Sequence, residues 1–320
     1  MPRPGTLRLL RWMRLAVGLL LLVGLIVYLT PSALLAQLRE VELGWLAAAA
    51  TAIVISTLIG SYALYLLMSR DHALPYRRFL GAYWTSWGVG LVVPGQVGDV
   101  AMLTMLMQRR GLHWPTSLGR SLLDKLISLA VLCGFAAWGL FALMPAVRVT
   151  AGQIAAGAAG LCLIGVTMWL AWRLLSSGAC KRIRLLEAMR TTTREITNSA
   201  LQHPGRTAAN LALTILKFGC SVLSYWFVFR ALGQDQLAYL HTLPLVAISA
   251  LVAYIPVSFN GLGTVEFAGI WLFGGAGIGK TAVLSAYLLL RFMVLTIAWL
   301  PVSLALMASR QSTEQPVGDC

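Results

Sequence analysis

Two short motifs each place a carboxylate inside an apolar stretch, next to residues that interrupt a helix. Residues 94–99 read PGQVGD, and residues 256–266 read PVSFNGLGTVE. Backbone groups left without hydrogen bonds at a helix break are costly in hydrocarbon, and so is an acidic side chain. Each feature therefore indicates a functional site by default. Duplicated breaks with duplicated acids, Asp99 and Glu266, predict a transporter-like site near the membrane midplane. The helix-breaking residues are Pro94, Gly95, Gly98, Pro256, Asn260, Gly261 and Gly263.

A basic residue follows each acid at nearly the same spacing. Lys125 comes 26 residues after Asp99, and Arg291 comes 25 residues after Glu266. A cation inside a membrane helix needs a partner. We therefore predict that Asp99 pairs with Lys125 or Arg120, and that Glu266 pairs with Arg291. The residues predicted to line a substrate or ion pathway are Asp99, Glu266, Arg291, Arg120, Asp124, Lys125 and Lys217.

Structural roles are the alternative interpretation of the same residues. Asp99 and Glu266 would then cap backbone amides at the N-terminus of a half-helix, where the helix dipole favours an anion. This role is compatible with transport. Asp124 and Lys125 would either form an ion pair that packs helices together or contact a ligand directly.

The composition is that of a polytopic membrane protein. Hydrophobic residues make up 58% of the 320 residues, charged residues make up 11%, and the mean hydropathy is +0.78. These values are too apolar for a soluble globular domain. The net charge of +14 does not indicate nucleic acid, because the basic residues follow the membrane boundaries. Scattered cysteines and isolated histidines predict no disulfide framework, metal site or cofactor.

Six apolar segments are long enough to span a bilayer. They are residues 15–36, 45–68, 118–144, 152–172, 207–229 and 281–307. We interpret the first as an uncleaved span rather than a signal peptide. Residues 79–108 and 243–275 are interrupted near their middles, and each half is too short to cross alone. We predict that both are re-entrant hairpins.

The distribution of positive charge favours this topology, because Lys and Arg concentrate in cytoplasmic loops. With both termini in the cytoplasm, 17 of the 25 basic residues fall inside and four fall outside. Three crossings per half invert the second half relative to the first. The predicted fold is therefore an all-α, inverted-repeat protein of the cytoplasmic membrane. Residues 10–148 form the first repeat, 150–308 the second, and 309–320 a short disordered tail.

The motifs resemble the flippase-like transmembrane family typified by the lipid-translocating part of lysylphosphatidylglycerol synthases. The resemblance rests on residues 94–99, residues 124–126, residues 260–266 and Arg291, which occur in the family's order. It covers about residues 10–308, nearly the whole chain. It implies lipid handling without an aminoacyl-transfer domain.

Three positions depart from the family pattern. Gln96 and Lys125 stand where Arg is common, and Asn260 stands where Gly is common. An Arg can clamp phosphate with two parallel hydrogen bonds, so the resemblance implies no particular headgroup.

Residues 274–281, GGAGIGKT, match the phosphate-binding loop pattern letter for letter. That chemistry requires a preceding β-strand and a following helix, whereas this stretch joins two membrane segments. We interpret it as a flexible connector and predict no nucleotide site.

The prediction that follows is a flippase rather than an enzyme. It would move a phospholipid or polyprenyl-linked lipid through a midplane site, driven by an ion gradient or by the gradient of the lipid. The alternatives are an intramembrane transferase or an accessory subunit in lipid or polyprenyl-phosphate-linked glycan biosynthesis. Expected partners are the lipid itself, further copies of the chain or a lipid-biosynthesis enzyme, and no nucleic acid.

Overall fold

The computed structural model describes residues 16, 19–29, 31–69, 74–92, 98–143, 192, 196–198, 201–254 and 258–313. The secondary structure of these residues is helical, and no β-strand occurs among them. We label the helices α1 (Leu19–Tyr28), α2 (Pro31–Arg39), α3 (Leu43–Met68), α4 (Tyr76–Val92), α5 (Gly98–Gln108), α6 (Trp114–Leu143), α7 (Pro204–Ala231), α8 (Tyr239–Val252), α9 (Thr264–Gly275) and α10 (Lys280–Thr313).

Four of these helices, α3, α6, α7 and α10, are long and apolar enough to cross a membrane. They coincide with four of the six predicted spans, and the chain is a multi-pass membrane protein. The predicted span 15–36 is not one straight helix, because the axes of α1 and α2 differ in direction by 81°. Pro31 begins α2, a position where its missing N–H costs nothing. The predicted span 152–172 lies outside the described residues.

Helices α3 and α7 pack closely against each other in the helix bundle. The buried face of α3 includes Ala52, Ser56 and Gly60, spaced four residues apart. Small residues at this spacing let two membrane helices approach closely, which strengthens their van der Waals contact.

The two helices run antiparallel, and hydrogen bonds tie them together at both ends. Glu42, just before α3, donates its N–H to the carbonyl of Ala231 at 3.1 Å. Arg206, near the start of α7, donates Nη1 to the carbonyl of Leu66 at 3.2 Å. The bundle therefore has a Met68 end, where α3 finishes, and an Ala231 end, where α7 finishes.

The first interrupted segment consists of α4 and α5, which pack side by side. Arg110, just after α5, donates Nη1 to the carbonyl of Arg78 near the start of α4. The chain thus leaves this segment beside the point where it entered. Tyr65 donates its hydroxyl to the carbonyl of Leu74 at 2.8 Å, which places the open end of the segment at the Met68 end.

The second interrupted segment consists of α8 and α9, which also contact each other. Its entrance lies near the end of α7, where Trp226 donates Nε1 to the carbonyl of Leu237 at 2.8 Å. Its exit lies there too, because the rings of Phe273 and Phe229 pack with centroids 4.7 Å apart. The open end of this segment is therefore at the Ala231 end.

The two interrupted segments meet at their tips. Asn260 lies in a 3₁₀ turn, Phe259–Gly261, with a left-handed φ of 48°. Its Nδ2 donates to the carbonyl of Leu91, the next-to-last residue of α4, at 3.1 Å. Asn tolerates left-handed backbone better than most residues with a side chain, so this position can hold a hydrogen-bonding group at the tip.

Candidate functional site

The first acid–base pair joins α5 to α6. Lys125 Nζ lies 2.6 Å from Asp99 Oδ2, and the two side chains are 29% and 28% exposed. Asp99 packs closely on α4, because a Cβ placed on Gly90 would lie 2.7 Å from the Asp99 Cβ. The predicted pairing of Asp99 is confirmed, with Lys125 as its partner.

A polar cavity of about 90 Å³ lies beside this pair. It has room for several water molecules. Helices α3 to α7 contribute to its wall, and so does Tyr254, two residues after the end of α8. Besides the ion pair, its polar lining includes Tyr83, Ser121, Asp124, Ser128, Lys217 and Tyr254. The second interrupted segment therefore completes the cavity of the first acid.

Asp124 is held by an amide rather than by a cation. Its Oδ1 accepts a hydrogen bond from Asn210 Nδ2 at 2.9 Å, and the same nitrogen donates to the carbonyl of Ala63 at 2.9 Å. The alternative of an ion pair between Asp124 and Lys125 is therefore wrong, because Lys125 is engaged by Asp99. Asp124 and Asn210 instead link α6 to α7.

Lys217 enters the cavity from α7 without an ion partner in the described part of the chain. Its aliphatic stem crosses α3 at a glycine. A Cβ placed on Gly60 would lie 3.0 Å from Lys217 Cδ and 3.1 Å from the Tyr83 hydroxyl oxygen. Gly60 thus leaves the space through which the side chain reaches the cavity.

Arg120 does not pair with Asp99, contrary to one of the two predicted options. Its side chain is buried, and its Nη1 donates to the carbonyl of Met68 at 3.1 Å. Met68 is the last residue of α3, where the helix dipole favours a positive charge. The guanidinium therefore caps α3 at the Met68 end.

The second acid–base pair joins α9 to α10. Glu266 Oε1 accepts from Arg291 Nη2 at 2.7 Å and from Arg291 Nε at 2.9 Å. Its Oε2 accepts from the N–H of Gly263 at 2.7 Å, the reciprocal half of a capping box. The predicted pair is confirmed, and Glu266 also has the capping role considered as its alternative. Glu266 is 0% exposed.

Aromatic rings fill the space around this second pair. A Cβ placed on Gly269 would lie 2.5 Å from the ring of Tyr287. The Tyr287 hydroxyl donates to Ser249 at 2.8 Å, and Tyr225 packs edge-on against its ring at 5.5 Å. The Glu266 carboxylate is therefore enclosed by packing, while Arg291 stays 27% exposed.

Both cations lie at the same depth, measured from opposite ends of the bundle. Lys125 is 11 residues into α6, which starts at the Met68 end, and Arg291 is 11 residues into α10, which starts at the Ala231 end. At 1.5 Å per residue each lies about 16 Å from its end. This is about half the thickness of a bilayer core.

The described helix breaks depend on backbone that glycine supplies easily. Gly261 and Gly263 have φ values of 71° and 77°, which side chains with a Cβ rarely adopt. Gly98 begins α5, and Asn260 forms the tip contact. Pro94, Gly95 and Pro256 lie outside the described residues.

The glycine-rich stretch, residues 274–281, connects α9 to α10. Its only positive φ among Gly274, Gly275, Gly277 and Gly279 is that of Gly277, at 83°. A phosphate-binding loop follows a β-strand, whereas this stretch follows a helix.

Sequence reasoning missed Asn210, Tyr83, Ser121 and Tyr254 as parts of the site. Each is a polar side chain near apolar residues, which was the available signal. Their contribution depends on which face of a helix points inward, and spacing from the acids does not give that information.

Comparison with known families identifies one match. The model of the family described as "Lysylphosphatidylglycerol synthase TM region" matches residues 15–302. No curated protein matches the chain. The matched residues include both acid–base pairs and the residues that line the cavity beside Asp99 and Lys125.

Proposed function

The chain belongs to the lysylphosphatidylglycerol synthase TM-region family, and from this membership we propose that it moves a phospholipid or lipid-linked headgroup across the cytoplasmic membrane. Membership indicates a lipid-related membrane function. The observation that carries the proposal of translocation is the polar cavity beside Asp99 and Lys125, at mid-depth, where two interrupted segments meet.

The pattern of helix contacts supports an inverted repeat. Exchanging α3, α4, α5 and α6 for α7, α8, α9 and α10 converts each main contact among them into another observed contact. For example, α4 with α5 becomes α8 with α9, and α6 with α8 becomes α10 with α4. The exchange leaves the contact between α3 and α7 unchanged, as expected for two helices related by a pseudo-two-fold axis.

The positions of the open ends support two re-entrant hairpins. The first interrupted segment opens at the Met68 end and the second at the Ala231 end, and Asn260 contacts Leu91 between them. Hairpins entering from opposite faces place their tips near the bilayer centre. Rocking one hairpin against the other would expose the cavity to each side in turn.

Charge at the two ends supports a cytoplasmic location for the Met68 end. Besides the buried Arg120, five exposed arginines and no exposed acid occur there in the described part of the chain: Arg77, Arg78, Arg109, Arg110 and Arg206. The Ala231 end is balanced, with Arg39, Glu40, Glu42, Arg230, Asp235 and Lys280. The net positive end faces the cytoplasm in this proposal.

The Asp99–Lys125 pair is the part of the site suited to change during transport. Both side chains are partly exposed to the cavity, so a headgroup can replace either partner without leaving the other buried and uncompensated. No nucleotide site is needed in this mechanism, because an ion gradient or the gradient of the lipid would supply the free energy.

A liposome assay tests the proposal. The purified protein is reconstituted with fluorescent phospholipids, and the rate at which headgroups leave the outer leaflet is measured for wild type and Asp99→Asn. Asp235→Asn is the matched control, because it makes the same chemical change in a surface pair, Arg230 Nη1 to Asp235 Oδ1 at 2.6 Å. We expect wild type and Asp235→Asn to translocate lipid and folded Asp99→Asn to fall to the rate of empty liposomes.

Equal rates for wild type and empty liposomes, across phospholipids and polyprenyl phosphates, would reject translocation. Transferase assays on polyprenyl phosphates would then test the enzyme alternative. If Asp99→Asn translocated lipid at the wild-type rate, the cavity beside Asp99 would not be the transport site.

A further inference from the structure

We propose that the cavity beside Asp99 binds a phosphate group through the ammonium of Lys217. The inference rests on the proposed lipid transport for the source of that phosphate, and it names the substrate chemistry that the transport site recognises. It is carried by the geometry of Lys217 and by the hydroxyl groups around it.

Lys217 is a cation in the middle of a membrane helix. It lies 13 residues after Pro204 and 14 residues before Ala231, the two ends of α7, so it is about 20 Å from either end. It cannot reach the interface from that depth. In the described residues no carboxylate oxygen lies within ion-pair distance of it, although the Asp124 carboxylate in the same cavity attracts it from further away. A charge without a close partner is expensive in the membrane interior. A ligand with negative charge would remove this cost.

Hydroxyl groups of Tyr83, Ser121, Ser128 and Tyr254 line the same cavity. The hydroxyl of Ser121 is buried and has no hydrogen-bond partner in the described part of the chain. Ser121 is 2% exposed, so bulk water does not satisfy it. A buried hydroxyl left without a partner is uncommon in folded proteins. Its presence in the cavity wall indicates that a ligand or internal water completes its hydrogen bonding.

The acceptors in the cavity are mostly occupied by the protein itself. Asp99 Oδ2 accepts from Lys125, and Oδ1 accepts from the N–H of Val100 at 2.9 Å. Asp124 Oδ1 accepts from Asn210, so Asp124 Oδ2 is the one open carboxylate oxygen in the lining of the cavity. The unused donors of the cavity include the Lys217 ammonium and the buried Ser121 hydroxyl. A ligand rich in anionic oxygens matches this set.

Among such groups, phosphate suits a lysine. The ammonium binds phosphate as a point charge with rotatable donors, without the planar geometry that Arg requires. Gly60 lets the Lys217 stem pass between α3 and α4, so the charge reaches the cavity and the stem covers apolar surface. The phosphodiester of a lipid and inorganic phosphate present the same chemistry to this group.

A binding assay in detergent tests the inference separately from transport. The thermal unfolding midpoint of the purified full chain is measured in a neutral maltoside, because a ligand that binds the folded state raises it with concentration. The probes are dihexanoyl phosphatidylglycerol, inorganic phosphate and dihexanoylglycerol, which lacks the phosphate. The variants are Lys217→Met, Lys217→Arg and Lys280→Met, the last an exposed lysine at the Ala231 end.

We expect phosphatidylglycerol to stabilise wild type and Lys280→Met, and dihexanoylglycerol to leave both unchanged. Lys217→Met should need at least about tenfold more phosphatidylglycerol for the same shift, the size of one charged hydrogen bond. Lys217→Arg should retain most of the effect, because the charge is kept. Without ligand, Lys217→Met should be at least as stable as wild type, since it removes a charge that has no close ion pair in the described residues.

Stabilisation by inorganic phosphate would show that acyl chains are dispensable for binding, and stabilisation by the lipid alone would assign the site to lipid phosphate. An equal response to dihexanoylglycerol, or an unchanged response in Lys217→Met, would overturn the inference. If Lys217→Met translocated lipid at the wild-type rate, the phosphate-binding inference would be overturned and the flippase proposal would stand. If phosphatidylglycerol bound in a Lys217-dependent way but the protein translocated no lipid, the binding inference would stand and the flippase proposal would fail.

Discussion

The two acid–base pairs occupy equivalent places in the two halves of the chain but differ in environment. Asp99 and Lys125 are each more than a quarter exposed and border a cavity. Glu266 is fully buried, and its two oxygens accept three hydrogen bonds from Arg291 and Gly263. The two acids of the duplicated motif thus differ: Asp99 is partly exposed, whereas Glu266 is fully buried even though its partner Arg291 is 27% exposed.

The difference indicates a division of roles within the proposed transporter. A buried carboxylate with partners on both of its oxygens stabilises one arrangement of α9 and α10. A carboxylate held by one lysine beside a cavity can exchange partners at low cost. The Glu266 half then serves as the scaffold and the Asp99 half as the working site.

The largest expected effect is a difference in the stability lost when the acid of each pair is neutralised. Glu266→Gln should lower the free energy of unfolding by about 3 kcal/mol, because it removes a fully buried carboxylate that holds both Arg291 and the N–H of Gly263. Asp99→Asn, the matched change, should cost about 1 kcal/mol, as for a partly exposed pair. Thermal unfolding monitored by size-exclusion chromatography in detergent measures both. Equal losses would contradict the division between scaffold and working site.

Two glycines test the packing difference with a smaller change. Gly269→Ala should destabilise by about 2 kcal/mol, because the new methyl group would lie 2.5 Å from the Tyr287 ring. Gly60→Ala should cost under about 0.5 kcal/mol. Its nearest neighbours are the flexible stem of Lys217 and the Tyr83 hydroxyl, at 3.0 Å and 3.1 Å. The same unfolding assay applies, and a larger loss for Gly60→Ala would show that the cavity wall is the rigid part.

The smallest expected effect concerns the contact that joins the halves. Asn260→Gly keeps the left-handed backbone and removes the donor to the Leu91 carbonyl, so it should cost about 1 kcal/mol or less. Amide hydrogen exchange should rise near the end of α4 and in the 3₁₀ turn, where the two tips meet. Gln236→Ala, which removes an exposed side-chain hydrogen bond to Gln234 at 3.2 Å, should leave exchange in α4 unchanged.

Much of the fold could be predicted from periodicity and charge. Four spans lie where apolar length placed them, and the interrupted segments break where Pro and Gly were clustered. The bend between α1 and α2 was not predicted, because Pro31 at the first turn of a helix does not by itself specify a change in direction. Residues 152–172 remain a predicted span.

The candidate site, like the fold, could be predicted from the sequence only in part. The spacing of 26 and 25 residues between acid and cation predicted which groups would pair. Each acid lies in the first turn of a half-helix, and each cation lies 11 residues into the next helix. It did not decide between Lys125 and Arg120 for Asp99. That choice depends on rotation about the axis of α6, which directs Arg120 to the end of α3 and Lys125 toward α5.

The sequence by itself determined that this chain is a membrane protein with two interrupted, acid-bearing segments, since hydropathy and helix breaking are local properties of residues. The tertiary structure decided that the two halves are unequal. Burial of Glu266, exposure of Asp99 and the entry of Lys217 into the cavity past Gly60 depend on which side chains from distant helices fill each space. Such packing is set by contacts between residues far apart in the chain, which no local pattern records.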